Sequence, residues 1–311
     1  MSTSAIVFAY HNVGVRCLRA LLDAGVDVRL VITHEDNPAE TIWFDSVATV
    51  AAESGIECIA PSDPNTPELL ARCAALAPDF LFSFYYRHML KAPLLAVPGR
   101  GAFNLHGSLL PKYRGRVPVN WAVLHGERET GATLHVMNEK PDNGAIVDQC
   151  AVPILGDDTA REVFDKVTVA AEIVIARAVP RLIDGTARLR PQDLAQGAYF
   201  GGRKAEDGRV PAGATAQQIH NLVRAVAPPY PGAWFDAGGH RITLLRTQRF
   251  AGATLVAPAS CFRLEAVDRQ LLLTAADGTR LRVLEAALDG EPLDAARLRT
   301  AFGNTALCPD L

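Results

Sequence analysis

Ala5-Ile-Val-Phe-Ala9 is a run of five apolar residues, followed by Tyr10-His-Asn-Val-Gly14 and then by Leu18, Leu21 and Leu22 up to Gly25. A short apolar run bounded by a turn reads as a buried strand. Apolar residues three and four apart read as one helix face, which Gly25 can cap. Val28 to Ile32 is β-branched and apolar, a second strand. The alternation continues with a helix over Ser46 to Ser54, a short strand at Cys58-Ile-Ala60, and a helix over Leu69 to Leu76. Phe80-Leu-Phe-Ser-Phe84 is another strand, and Ala102-Phe-Asn-Leu-His106 is a strand entering a loop. Strand and helix in turn imply parallel βαβ units around a buried sheet, a Rossmann-like α/β domain.

Beyond this core, Ala132 to Met137 and Ala145 to Val152 are β-rich and flank the polar turn Pro141-Asp-Asn-Gly144. Thr159 to Ile183 has a long amphipathic helical pattern that Asp158 or Thr159 can cap. From about Asp184 to Gly213 periodicity is lost, as in a connection between domains. Thr215 then starts a helix carrying Ile219, Leu222, Val223 and Val226, stopped by Pro228 and Pro229. Short strands follow at Ile242 to Leu245, Cys261 to Val267, Leu271 to Ala275 and Leu281 to Leu284, the spacing of a small β-barrel. The 311 residues therefore divide into a catalytic-sized α/β domain over 1–190, a linker over 191–213 and a barrel over 214–311.

The net charge of −3 supplies no general electrostatic attraction to nucleic acid or an anionic membrane. No apolar stretch approaches the ~18 residues that span a bilayer, and the first residues have no basic, cleavable leader pattern. The six cysteines lack C-x-x-C spacing and read as buried free thiols in a reducing compartment. These features together point to the cytoplasm. His34, His125, His135, His220 and His240 show no mutual metal-ligand spacing, so no metal is expected.

A dinucleotide site needs three glycines after the first strand, and Tyr10 to Gly14 offers one, so NAD is not expected. The chemistry concentrates instead in Phe103-Asn104-Leu105-His106-Gly107-Ser108-Leu109-Leu110-Pro111-Lys112-Tyr113-Arg114-Gly115-Arg116. Asn104 and His106 are two apart at a strand end, so their side chains leave on one face. The turn at Asp142-Asn143-Gly144 can bring a carboxylate to the same place. Such a set suits acyl transfer to an amine. An Asn N–H stabilises charge growing on the carbonyl oxygen, a histidine moves protons, and a carboxylate favours the charged imidazolium and fixes its tautomer. By spacing alone, an Asn-x-His pair also describes an ordinary hydrogen-bonded turn.

Phe103-Asn-Leu-His-Gly-Ser-Leu-Leu-Pro-Lys-Tyr-Arg-Gly115 resembles the signature of the folate-dependent formyltransferases, and the resemblance covers almost the whole chain. Within that family it is most similar to the formyltransferases of UDP-4-amino-4-deoxy-L-arabinose, which serve lipid A modification and polymyxin resistance. Val7-Phe-Ala-Tyr-His11, Thr33-His34 with Asp36-Asn37-Pro38, Phe82-Ser-Phe-Tyr-Tyr-Arg-His88, Asn120-Trp121, Gly144-Ala-Ile-Val147 and Val223-Arg-Ala-Val226 carry it. The resemblance implies a Rossmann-like domain with a parallel sheet followed by a small OB-like barrel. It implies 10-formyltetrahydrofolate as co-substrate and a nucleotide-linked 4-amino sugar as acceptor. Asn104, His106 and Asp142 match the catalytic residues. His88, Met89, Leu90, Arg116, Asn138, Glu139, Lys140, Pro141 and Asp142 match folate contacts, and Ser108 and Arg114 match the cleft between carrier and sugar. Between Phe200 and Ala214 the family's acidic–aromatic pair is missing.

Two other acceptors share the catalytic set, methionyl-tRNA and a dTDP- or GDP-linked amino sugar. From Asp207 onward there are eleven arginines, no lysine and ten acidic residues. That near-neutral balance disfavours a polyanionic tRNA and favours a small molecule.

Overall fold

The structure, a computed structural model, describes residues 2–38, 42–250, 257–303 and 306–310. The chain divides into two compact units. The first comprises Met1–Pro118, Glu129–Pro153 and Phe164–Gly201, and the second Val119–Arg128, Ile154–Val163 and Gly202–Leu311.

The first unit is built on β1 (Ser4–Ala9), β2 (Asp27–Ile32), β3 (Cys58–Ile59), β4 (Phe80–Phe84), β5 (Gly101–His106), β7 (Glu129–Val136) and β8 (Ile146–Pro153), in the order β3-β2-β1-β4-β5-β7-β8. The first five strands are parallel, as the alternation of apolar runs and helical patterns requires. The last two form a hairpin whose first strand runs antiparallel to β5. Phe8, Phe80, Phe82 and Phe84 are fully buried along β1 and β4, which is why those strands read as continuous apolar runs. Helices α1 (His11–Asp23), α2 (Val47–Glu53), α3 (Pro67–Ala75), α4 (Ala92–Leu95), α5 (Pro118–Leu124) and α6 (Ala160–Ile183) fall between or after these strands. Their starts follow local chemistry. Ser46 Oγ accepts the Thr49 N–H at the head of α2, and Thr66 Oγ1 accepts the Leu69 N–H at the head of α3. Two short strands, β6 (Arg114–Gly115) and β9 (Tyr199–Phe200), pair in parallel, so the stretch read from sequence as the start of a linker is tied to the first unit up to Gly201.

The second unit is an antiparallel half-barrel of β10 (Ala233–Ala237), β11 (His240–Arg249), β12 (Arg263–Val267), β13 (Gln270–Thr274), β14 (Arg280–Leu288) and β15 (Glu291–Pro292), with α7 (Ala216–Ala225) and α8 (Ala295–Phe302). Its strand order is β10-β11-β14-β13-β12, with β15 on β14. A capping box between Thr215 and Gln218 starts α7. The second unit includes two upstream segments, Val119–Arg128 and Ile154–Val163, and Arg224 supplies a physical reason. This buried guanidinium donates to the carbonyls of Val123, Leu155 and Asp158 and to Asn221 Oδ1. A buried cation must be paired or hydrogen-bonded, and here its partners are two segments that the sequence places far upstream.

Candidate active site

The β5–β7 pairing sets Asn104 directly opposite His135 and His106 opposite Thr133. Asn104 Nδ2 lies 3.1 Å from His135 Nε2. Asp142 Oδ1 lies 3.5 Å from both His106 Nδ1 and His135 Nε2. The amide, two imidazoles and one carboxylate therefore form a single contiguous cluster. His106 and His135 are buried, while Asn104 and Asp142 are half-buried.

Asp142 is held by its turn. Its φ is +56°, a left-handed conformation that aspartate tolerates better than most residues. Gly144 passes so close to the Val136 carbonyl that any Cβ would sit 1.8 Å from the oxygen, so only glycine lets the chain turn back here. Gln192 Nε2 donates to the carbonyls of Asp142 and Gly144 at 3.1 and 2.7 Å, fixing the turn from outside. Asp142 Oδ2 accepts the Gly115 N–H at 2.8 Å. Burial works to raise the Asp142 pKa, but His106, His135 and the Gly115 N–H outweigh it and hold the carboxyl at about 2. The carboxylate is charged throughout the physiological range.

His106 Nε2 lies 2.8 Å from the Tyr113 carbonyl, so both ring nitrogens face acceptors. His135 Nδ1 lies 2.9 Å from the Val136 carbonyl and donates to it. In that tautomer Nε2 is the acceptor that faces the Asn104 amide. Sequence spacing gave His135 no role, because its partnership with Asn104 depends on the β5–β7 register.

Behind this cluster, Thr133 organises the loop that follows β5. Its hydroxyl donates to the Ser108 carbonyl at 2.6 Å and accepts from the Leu110 N–H at 3.1 Å and from Gln149 Nε2 at 3.0 Å. Ser108 is fully buried, and its hydroxyl donates to the Lys112 carbonyl at 2.6 Å, bracing the loop. Arg114 directs its Nη2 to the carbonyls of Leu194 and Gly197. Each side chain is engaged by backbone of its own unit.

The residues expected to meet folate lie in two exposed loops and one extended segment. His88 and Met89 are exposed, whereas the Leu90 side chain is buried in the core beside Leu94 and Leu69, leaving only its backbone to offer. Asn65 clamps this loop, donating to the Met89 carbonyl and accepting the Lys91 N–H. His34 supports it from below. Its ring stacks on Tyr86 at 4.1 Å, and its Nε2 accepts the Arg87 N–H at 2.9 Å. Burial, with His88 and Arg87 nearby, lowers the His34 pKa to about 4, so it remains the neutral acceptor that this hydrogen bond needs. Asn138, Glu139, Lys140 and Pro141 are exposed, with Asn138 Oδ1 accepting the Lys140 N–H. Arg116 is exposed and its N–H donates to the Phe200 carbonyl.

A separate cavity of about 270 Å³ opens beside the ends of β1 to β3, lined among others by Tyr10, His34, Asp36, Phe44 and Asp45. Its lining includes none of Asn104, His106 and Asp142. Among the described residues no group of His, Cys, Asp and Glu is arranged to hold a metal ion, and no helix is long and apolar enough to cross a membrane.

The chain is similar in fold to the N-formyltransferase from Helicobacter canadensis solved with folinic acid and dTDP-3-aminofucose, at 22% identity and a TM-score of 0.71 over 91% of this chain and 99% of that one. It is similar to WlaRD, a sugar 3N-formyl transferase solved with dTDP and 5-N-formyl-THF, at 19% identity and a TM-score of 0.71 over 91% and 97%. It also resembles HypX from Aquifex aeolicus in complex with tetrahydrofolic acid, at 17% identity and a TM-score of 0.63, over 96% of this chain and 47% of that one. Residues 6–179 match the formyl transferase family and residues 203–301 its C-terminal domain, and with more than half of the sequence so matched, the chain belongs to the formyl transferase family.

Proposed function

We propose that the protein transfers a formyl group from 10-formyltetrahydrofolate to the primary amine of a nucleotide-linked amino sugar. The observation that carries this reading is the cluster in which one carboxylate oxygen stands 3.5 Å from two imidazoles, the second of which touches the Asn104 amide. When bound, the folate supplies an activated formyl carbon on nitrogen. Asn104 has two N–H bonds; one meets His135 and the other is available to the formyl oxygen as negative charge grows there. His106, backed by the charged Asp142, relays a proton from the attacking amine to the departing folate nitrogen. For Nε2 to take part, substrate must displace its contact with the Tyr113 carbonyl. The amine is itself the nucleophile, so no serine or cysteine is required.

The exposed Met89 and the loop Asn138 to Pro141, with the backbone of Leu90, fit a carrier bound through main-chain groups. As the sugar nucleotide we propose UDP-4-amino-4-deoxy-L-arabinose, on the strength of the sequence resemblance, with the dTDP-3-amino sugar bound by the Helicobacter canadensis relative as the rival acceptor. The test is a panel of UDP-, dTDP- and GDP-linked amino sugars and charged initiator tRNA, each incubated with 10-formyltetrahydrofolate and read by mass. A formylated UDP-amino sugar with matching tetrahydrofolate release supports the full reading. Formylation of a dTDP- or GDP-linked sugar alone corrects the acceptor, and formylation of tRNA alone overturns the sugar assignment.

A further inference from the structure

Residues 190–200 carry none of the proposed chemistry, yet they run along both the Asp142 turn and the loop that follows β5. Arg190 and Ile146 exchange both backbone hydrogen bonds, at 2.7 and 2.8 Å, as an isolated antiparallel bridge just beyond the turn. At the other end, the Arg114 N–H donates to the Ala198 carbonyl and the Arg116 N–H to the Phe200 carbonyl, at 3.1 and 2.9 Å. The Phe200 ring stacks on Tyr113, whose carbonyl faces His106, with centroids 5.1 Å apart. Gly197 passes the Pro111 carbonyl so closely that a Cβ would stand 1.9 Å from the oxygen. The segment is thus docked at both ends, and Gln192 lies between the docked points.

Gln192 is where this segment grips the turn itself. Its Nε2 donates to the Asp142 carbonyl at 3.1 Å and to the Gly144 carbonyl at 2.7 Å, so its N–H bonds are spent on the carbonyls either side of Asn143. Its Oε1 is buried without a hydrogen-bond partner, so the side chain serves the turn through its donors. The turn needs such a hold. Asp142 has a φ of +56°, and Asn138 to Pro141 before it are exposed. Its carboxylate nevertheless stands 2.8 Å from the Gly115 N–H and 3.5 Å from both His106 and His135. A side chain at a turn moves with its backbone, and a displacement of about 1 Å in a catalytic constellation can cost about 10²-fold in rate.

We propose that Gln192 is a positioning residue: by donating to the carbonyls of Asp142 and Gly144, it sets the Asp142 carboxylate against His106 and His135. Its consequence for turnover rests on the formyl-transfer reading; its consequence for where Asp142 stands does not. The Gly115 N–H reports that position directly. It donates to Asp142 Oδ2, whereas the N–H groups of its neighbours Arg114 and Arg116 donate to residues 198 and 200. Loss of the Gln192 donors should release the first contact and leave the other two in place.

The test uses Gln192→Met in the full chain, which keeps the side-chain length and removes both donors. In formyl transfer, kcat should fall by roughly 10–100-fold with a smaller change in KM. In an Asp142→Asn background the same substitution should cause little further loss, because Gln192 acts through Asp142. In amide hydrogen exchange read by NMR, the Gly115 N–H should exchange faster, while those of Arg114 and Arg116 keep their protection. Gln192→Asn, which withdraws the amide by one methylene, gives the same readouts if Gln192→Met does not fold. An unchanged Gly115 N–H, an unchanged kcat in active enzyme, or losses that multiply in full with Asp142→Asn would overturn the proposal. A wild type that formylates no acceptor would overturn the formyl-transfer reading instead, and the Gly115 exchange would still decide whether Gln192 holds Asp142.

Discussion

Asn104 Nδ2 and His135 Nε2 face one another at 3.1 Å across the antiparallel pair of β5 and β7. In the proposed reaction this contact holds the amide that presents its other N–H to the formyl oxygen. A carboxamide is free to rotate, and catalysis by hydrogen-bond donation depends on pre-set orientation. Asn104→Ala is therefore expected to lower kcat by about 10²–10³-fold. His135→Ala, which leaves the amide present but unheld, is expected to lower it by roughly 10–100-fold. The double variant should be little worse than Asn104→Ala, because His135 acts through Asn104. Steady-state kinetics on the three variants checks this, and fully multiplicative losses would mean that the histidine works independently.

Asp142 ties acid stability to the same cluster. Its pKa falls from an ordinary 3.8 to about 2 in the fold. A depressed carboxyl stabilises the fold above its unfolded pKa, and the contribution is lost as pH falls through the folded value. At neutral pH that difference is worth about 2 kcal/mol. Asp142→Asn should be less stable than wild type by about that amount at pH 7, with the gap closing toward pH 2 in denaturant titrations. It should also lose most turnover, since His106 no longer faces a charge.

His34 gives an effect with a different window. Its folded pKa of about 4 lies below the ordinary 6.5. Between these values the unfolded chain binds a proton that the fold does not, so stability declines as pH drops from 6.5 to about 4. His34→Gln keeps a neutral acceptor for the Arg87 N–H and should flatten this portion of the pH–stability curve. His34→Ala should also raise KM for the formyl donor with smaller change in kcat, because the loop from Arg87 to Leu90 loses its support.

Thr133 is the structural hinge of the site. Replacing it with valine keeps the shape but orphans the Leu110 N–H and the Ser108 carbonyl in a buried setting. Each buried polar group left unpaired costs roughly 1–3 kcal/mol. Thr133→Val should therefore be clearly destabilised in thermal unfolding, and hydrogen exchange should rise over residues 108–113.

The distribution of legible and hidden features has a physical basis. The common face of Asn104 and His106 is readable from a strand's two-residue period and the turn at Asp142 from Pro-Asp-Asn-Gly, while the roles of all three came from the resemblance to the formyltransferase signature. His135 was not readable, since a contact across strands depends on pairing partner and register. The five parallel strands follow from local alternation, but the antiparallel placement of β7 on β5 is a long-range choice. Ala233–Ala237 was missed as a strand because its apolar run is short and follows directly on Pro231 and Gly232. Ser108 and Arg114 were read as ligand contacts because they lie within the motif; in the structure Ser108 bonds the Lys112 carbonyl, and Arg114 those of Leu194 and Gly197. The two compact units are each gathered from separate stretches of sequence, and the carbonyls collected by Arg224 could not be foreseen from spacing.

The most direct measurement is a crystal structure of the protein with 5-formyltetrahydrofolate, a carrier whose formyl group is retained. The formyl oxygen should lie about 3 Å from Asn104 Nδ2, with its carbon beside His106 and the pterin along Met89 and Leu90. A carrier bound elsewhere, with Asn104 and His106 untouched by its formyl group, would contradict the assignment of this cluster as the place where the formyl group moves.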